Sequence, residues 1–228
     1  MTIANRLILY PNPALEATPA VWERSKDNDW WQPNSELYSF YPSTHLLLPG
    51  DILLFAPQEA GFSQRLIQSK QHSWGRTDAD HNKYTHAAIY IGSDHIICEA
   101  IVESGVTYSS LESYIGSRCF IARRWPNISL ETRFKISLEA SRWLKFKYNK
   151  AVFIPGGLSE KWANSFNKKE GKFICSRLCE RAIRLALANS GINDAPFHDD
   201  PTALVTPAVL SQTDSLVDID LEWRRVPN

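Results

Sequence analysis

The sequence has no excess of charge of either sign, with 25 Lys and Arg against 25 Asp and Glu. That excludes a whole-molecule field drawing the protein to nucleic acid or to an anionic membrane. No run approaches the roughly 18 apolar residues of a membrane span, so no transmembrane segment is expected. There is no CxxC pair. The cysteines, at 98, 119, 175 and 179, are too few, and a chain of 228 residues too large, for a disulfide-stapled fold. Cys175 and Cys179 lie four apart, a spacing that suits neither a zinc site nor a disulfide. The thiols are read as free, and neither a metal nor a cofactor is expected. The opening segment MTIANRLILYPNPALEATPA is no secretory signal, because LILY is too short for an h-region and Pro follows it. The expected protein is soluble, and cytoplasmic or exported without a Sec-type signal. Internal repeats and low-complexity tracts are absent as well.

What is present is ordinary globular composition with one unusual abundance, eight tryptophans, three of them at Trp22, Trp30 and Trp31. Residues 1–47 mix Pro, Trp and polar residues without a period and read as an aromatic-rich N-terminal extension packed on a domain of 48–228. After the turn Pro49-Gly50-Asp51 comes a strand, ILLFA, at 52–56. Phe62, Leu66 and Ile67 have helical spacing in 58–70, and 71–83 reads as an exposed polar loop. HAAIYIG at 86–92, HIICEAI at 95–101 and RCFIARRW at 118–125 read as strands. SSLESYIG, between the last two, reads as a short helix. Ser129 caps a helix of about 15 residues with Phe134, Ile136, Leu138, Ala140 and Trp143 on its buried side. A strong helix runs from Cys175 to Asn189 and stops at Gly191, with Leu178, Ala182, Ile183, Ala186 and Leu187 as its stripe. The tail VDIDLEWRRV alternates like an edge strand. Strands clustered between helices, without regular βαβ alternation, give an α+β class with an antiparallel sheet packed against helices.

Three residues can carry chemistry together. Cys175 opens the last helix, where the dipole favours the thiolate, the form that acts as nucleophile. His86 opens a strand and can project into a cleft to take the thiol proton. Glu99 and Ile97 share one face of the next strand, so pairing of the two strands would let Glu99 approach and orient the imidazole. Each has a plainer reading: a buried structural cysteine, a histidine at a strand end, a solvent-facing charge. Glu103 competes as the acid but sits past the strand. His72 and His81 read as solvated, His95 as a turn residue, and His198 lies in an HDD run.

The succession PGDILLF, YTHAAIYIG, HIICEAIVESGV, YIGSRCFIARR, LKFKYN, FICSRLCERAI and VTPAVLSQTD resembles the circularly permuted NlpC-type papain-fold enzymes. This is the YiiX/YaeF-like group, related to the lecithin:retinol acyltransferase family. The resemblance covers about residues 48–215 and implies a permuted papain-like fold in which the His strand precedes the Cys helix. It implies Cys175 as nucleophile, His86 as base and Glu99 as orienting acid, with Ser176 beside the nucleophile. The polar loop before Thr85 is longer than a minimal family member needs, and the aromatic extension has no counterpart in the family pattern.

Three functions follow from these residues. The first is a thiol hydrolase cleaving an amide in a peptide or peptidoglycan fragment through a thioester. The second is a lipid acyl hydrolase (phospholipase) or acyltransferase with the same triad. The third is a catalytically dead binding module. Tyr84, Arg76 and Tyr148 are the expected substrate-binding residues. Arg76, Asp78, Asp80, His81 and Lys83 in the polar loop suit an ionic anchor, which ranks the amidase first. Arg142, Lys145, Lys147 and Lys150 form a basic stretch that reads as a solvated helix face or as a contact for phosphate heads. No nucleic-acid partner is expected, and an exported antibacterial toxin would come with an inhibitory partner protein.

Overall fold

The computed structural model describes residues 40–42, 44–57, 61–75, 77–92, 95–114, 118–149, 172–192, 197, 204–221 and 223–225. The fold is α+β. Its centre is a six-stranded, wholly antiparallel sheet of β2 (Ile52–Pro57), β3 (His86–Tyr90), β4 (Ile96–Ile101), β5 (Gly105–Ser110), β6 (Arg118–Arg124) and β9 (Val217–Ile219), in the order β5-β4-β3-β2-β6-β9. Among the described residues the α-helices are α1 (Phe62–Gly75), α2 (Leu130–Ser141), α3 (Cys175–Ala188) and α4 (Pro207–Gln212). Two two-stranded pairs complete it. β1 (Phe40–Pro42) joins β10 (Trp223–Arg225), and β7 (Lys147–Tyr148) runs parallel to β8 (Lys172–Phe173).

Apolar runs decide which strands are central. Every residue of β2 and β3 is buried, because both faces of the sheet are covered. On one face Ile52, Leu54, Ala87, Ile89, Cys98 and Ala100 pack against the stripe of α3 (Leu178, Ala182, Ile183, Ala186, Leu187). On the other, Leu53, Phe55, Ala88, Tyr90 and Ile97 pack with Leu47, Leu111, Phe120 and Leu221. The period-2 alternation of strand side chains thus sends successive residues into two cores.

Several sequence expectations change. Helix α1 continues through 71–75, so the segment 71–83 is not one exposed loop, and Gln71 is buried. Ser109 and Ser110 end strand β5, and only Leu111–Tyr114 makes a short 3-10 turn, so SSLESYIG is not a helix. Residues 105–110 are a strand that the sequence reading lacked. Helix α2 is 12 residues long, and its apolar Phe134 and Leu138 face solvent while Thr132, Arg133, Ser137 and Glu139 are buried with Ile136 and Ala140. The buried polar groups have partners: Arg133 donates to the Trp125 carbonyl and Ser137 to that of Tyr90. The tail divides into two strands, β9 on the edge of the main sheet and β10 on β1. Of the expected extension over 1–47, residues 1–39 lie outside the described residues.

Two devices bring the later chain onto the sheet. Gly105, at φ +75°, allows Phe146 to approach the β4–β5 turn; a side chain there would collide with the Phe146 carbonyl. Arg123, on β6 and buried, donates to the carbonyls of Leu210, Ser211, Thr213 and Leu216, tying α4 and the segment after it to the sheet. Arg123→Met would strip the donors from these carbonyls. The expected result is a loss on the order of 3 kcal/mol, read as a lower urea midpoint at unchanged slope. A midpoint within error of the parent would show that Arg123 does not hold this junction.

Candidate active site

The site forms where β3, β4 and α3 meet. Ala88 lies opposite Glu99 in the β3–β4 ladder, so His86, two residues before Ala88, shares a face with Glu99 and is its diagonal neighbour. The Nε2 atom of His86 is 2.5 Å from Oε2 of Glu99. That leaves Nδ1 for the Cys175 sulfur, which is hydrogen-bonded to the imidazole. Cys175 is the first residue of α3. Its N-cap, Ile174, offers no side-chain acceptor, so the first-turn N–H groups are not capped from within the helix. The backbone N–H groups of Ser176 and Ala87 donate to the sulfur instead.

All three groups are buried: His86 is 8%, Glu99 1% and Cys175 5% exposed, so their charges are set by one another. Burial alone pulls the imidazole toward neutrality. The Cys175 thiolate and the Glu99 carboxylate outweigh that and raise the His86 pKa to about 9. Burial likewise opposes the thiolate, but the His86 charge, its hydrogen bond and the two N–H groups hold the Cys175 pKa below the ordinary thiol value. Burial opposes the Glu99 carboxylate too, and hydrogen bonds from His86, Ser109 and Tyr114 keep it low. The Tyr114 hydroxyl donates to Oε2 at 2.6 Å. Both shifts favour the thiolate and imidazolium forms of the pair over the neutral ones.

Beside the sulfur lies a small cavity, partly open to solvent. One helical face of α1 supplies Leu66, Ile67, Lys70 and Gln71. Thr85, Tyr148, Ile174 and Ser176 form the wall around Cys175, and Leu204, Thr206 and Pro207 close the far side. The lining is largely apolar. Hydrogen bonds hold these distant segments together: Gln71 donates to the Tyr84 carbonyl and accepts from Ala208 N–H, and Ser176 Oγ donates to the Val205 carbonyl. The β7–β8 pair sets Tyr148 opposite Phe173, two residues before Cys175.

Cys175, His86 and Glu99 are therefore brought together, and Tyr148 stands at the cavity. Tyr84 is instead a core residue, packed among the helix-side apolar cluster with Lys83 over its ring, and it does not line the cavity. Arg76 and Lys150 lie outside the described residues. The other charged candidates of the polar segment do not line the cavity. Asp78 pairs with Gln212, and His81 Nδ1 meets Ser211 Oγ at 2.7 Å rather than being solvated. Glu103 is exposed in the turn after β4, and it is Glu99 that meets the imidazole. His95 is buried and bonded to Thr44, and His198 lies outside the described residues. The sequence reading missed Tyr114 and Ser109, which hold Glu99, and the cavity walls Lys70, Gln71, Leu204 and Thr206. It quoted Thr85 only as part of the His motif. No periodic signal marks any of them.

No protein-family model matches the chain, and no curated protein does. Among solved structures it is similar to the crystal structure of the metalloprotein yiiX from Escherichia coli O157:H7, over 77% of this chain and 98% of that one. The TM-score is 0.50 and the sequence identity 19%. The chain has a yiiX-like fold. In this yiiX-like fold the connection that separates His86 from Cys175 spans strands β4 to β8, so the histidine strand comes first along the chain.

The environments of the thiols differ enough to be read chemically. Burial and then the Glu99 charge push Cys98 up to about 12, and burial raises Cys179 well above an ordinary thiol. Iodoacetamide at pH 7 is expected to label Cys175 well before Cys98 or Cys179, with mass spectrometry of the peptides as readout. Glu99→Gln should slow that labelling, because the imidazolium loses its counter-charge. Equal labelling of the three thiols in the native protein would remove Cys175 as the nucleophile.

Proposed function

We propose that the protein is a thiol-dependent acyl hydrolase or acyltransferase, with Cys175 as nucleophile, His86 as base and acid, and Glu99 as the orienting group. The observation that carries the chemistry is the single imidazole hydrogen-bonded to Cys175 through one nitrogen and to Glu99 through the other. The thiolate attacks the acyl carbonyl. His86 gives its proton to the leaving group, and a thioester on Cys175 remains. Water or an acceptor hydroxyl or amine then attacks the thioester, His86 takes the proton, and the acyl group departs. The Cys175 N–H points from the first turn of α3 as a donor for the developing oxyanion.

The lining of the cavity bears on the substrate. The expectation of an amide anchored by charge rested on the polar segment before His86, and its described charged residues do not reach the cavity. The walls offered by Leu66, Ile67, Ile174, Leu204 and Pro207 support an apolar acyl chain instead. This favours the lipid-type acyl donor over the peptidoglycan stem, and the reaction itself is the same for both. Lys70 stands among the apolar walls, where burial lowers its pKa, and suits a carboxylate or phosphate on the same substrate.

A metal does not fit this arrangement. Cys175 and Glu99 occupy opposite nitrogens of His86, so the donors do not converge on one point. Among the described residues no group of three His, Cys, Asp or Glu side chains is placed to hold an ion. No step is therefore routed through the metal that yiiX's description implies for that protein. Among the described residues no helix is long and apolar enough to cross a membrane.

The test uses phospholipid vesicles, purified peptidoglycan and p-nitrophenyl esters from acetyl to dodecanoyl. Wild type is expected to release fatty acid and Cys175→Ala to release none. Ester turnover at low substrate should climb by up to about fourfold per methylene, the equivalent of roughly 0.8 kcal/mol. Cys175-dependent cleavage of peptidoglycan with vesicles left intact would overturn the lipid-type acyl donor and leave the thioester chemistry in place.

The pH dependence follows from the shifts. His86 is raised, so its proton is present below about pH 9 and lost above it. Cys175 is lowered, so the thiolate persists below the usual thiol range. Turnover is expected to be flat across neutral pH and to fall as pH rises through about 9. An alkaline limb near the ordinary histidine value would count against a thiolate–imidazolium pair.

A further inference from the structure

We propose that the Thr85 hydroxyl is the second oxyanion donor of this site, completing with the Cys175 N–H the pair that holds the carbonyl oxygen during attack. The proposal rests on Cys175 as the attacking sulfur and not on which acyl group is bound. Thr85 immediately precedes His86, and its backbone N–H is fixed on the Phe55 carbonyl at 2.9 Å. Its side chain lies on the same side of the strand as Ala87, whose N–H donates to the Cys175 sulfur. That side faces α3, and Thr85 lines the same cavity as Cys175. Thr85 is 4% exposed, yet Oγ1 is buried without a hydrogen-bond partner.

A buried hydroxyl with no partner is uncommon, since desolvating it is unfavourable unless something accepts its proton. The other short polar side chains around the cavity are already occupied. Ser176 donates to Val205, Gln71 uses both ends of its amide, and Thr206 accepts from Val209 N–H. These bonds build the walls. Thr85 contributes nothing to the walls through Oγ1, and the group it lacks is an acceptor in the cavity beside the nucleophile. The carbonyl oxygen of an acyl substrate is that acceptor. As the thiolate forms the S–C bond, the C=O π pair moves onto oxygen, and the charge is met by the Cys175 N–H and the Thr85 O–H. When the carbonyl re-forms, the leaving group departs with the His86 proton and both donors are released. A donor that strengthens its bond as charge develops acts on the chemical step more than on binding.

The test is Thr85→Val, which keeps the shape and removes the hydroxyl, beside Thr85→Ser, which keeps the hydroxyl. Propanal and decanal serve as probes, because each adds to a thiolate to give a thiohemiacetal whose oxygen occupies the oxyanion position. The readout is protection of Cys175 from iodoacetamide, which needs no turnover. Thr85→Val is expected to alkylate at the wild-type rate without aldehyde and to need at least about tenfold more of either aldehyde for protection. Its ester turnover number should fall by about 10²–10³-fold with little change in KM. Thr85→Ser should stay within a few-fold of wild type in both assays. Equal protection in wild type and Thr85→Val would overturn the assignment. So would a parallel loss of alkylation rate in Thr85→Val, which would place the residue in the packing of the nucleophile, and so would a wild type that takes up neither aldehyde. Equal protection of wild type by propanal and decanal would instead count against the apolar acyl chain and leave Thr85 in place.

Discussion

The structure depends on holding a buried imidazole between a cysteine sulfur and a carboxylate. A lone protonated histidine would not survive burial, because desolvation drives it neutral. Here Cys175 at one nitrogen and Glu99 at the other outweigh burial and raise the His86 pKa toward the charged form. That requirement fixes three elements against each other. β3 must present His86 at its first residue, β4 must place Glu99 on the same face, and α3 must bring the N-terminal turn to the other side of the ring. The apolar stripe of α3 supplies the packing that holds this docking, and the antiparallel register of β3 and β4 supplies the diagonal contact. Fold and site are one constraint seen at two scales.

The same reasoning explains why one thiol in a buried cluster is activated and its neighbours are not. Cys179 lies one turn after Cys175 on α3, and Cys98 lies beside Glu99 on β4. Both are buried, both feel negative charge, and neither has an imidazole. Burial and negative charge act together on those thiols to keep them protonated. Only at the first residue of α3 do the helix terminus, two N–H groups and an imidazolium act in the opposite direction. Glu99 in turn needs Tyr114 and Ser109, because a carboxylate on one histidine alone would leave lone pairs unsatisfied. The network therefore extends through β5 and the turn after it, well beyond Cys175, His86 and Glu99.

Much of this was legible in the sequence because its signals are local. ILLFA, HAAIYIG and HIICEAI are short apolar runs bounded by turn residues, and 175–188 carries a helical stripe. Strand β5 was not legible, because GVTYSS has few apolar residues and half of it faces away from the core. Helix α2 misled for the opposite reason. Phe134 and Leu138 look like a buried face, but burial of apolar residues is not a two-way rule. The inward face carries Arg133 and Ser137, whose hydrogen-bond partners are the Trp125 carbonyl just before the helix and the Tyr90 carbonyl on distant β3. The chemistry-bearing trio could be seen because a cysteine at a helix start and a histidine at a strand start are positional signals. The groups that hold Glu99 carry no such signal, since a tyrosine in a 3-10 turn looks like any other tyrosine.

The cavity is the part least accessible to sequence reasoning, and the one that decides what the chemistry acts on. Its walls come from α1, from the turn before α3 and from the segment leading into α4, and each of these is unremarkable alone. They are joined by the Gln71 amide and by Ser176, polar groups whose bonds define an apolar space. The charged residues near His86 in sequence suggested a polar cleft. Proximity along the chain was a poor guide, because α1 continues past the point where a loop was expected and turns Gln71 inward, while Asp78 and His81 are engaged by α4. Charge that is spent holding a helix in place is not available to a substrate. The lining beside the sulfur is mainly aliphatic, with Tyr148, Lys70 and Thr85 among it. Under the function proposed for this site, that lining suits a substrate with an apolar body and a carbonyl, whichever bond the thiolate would break.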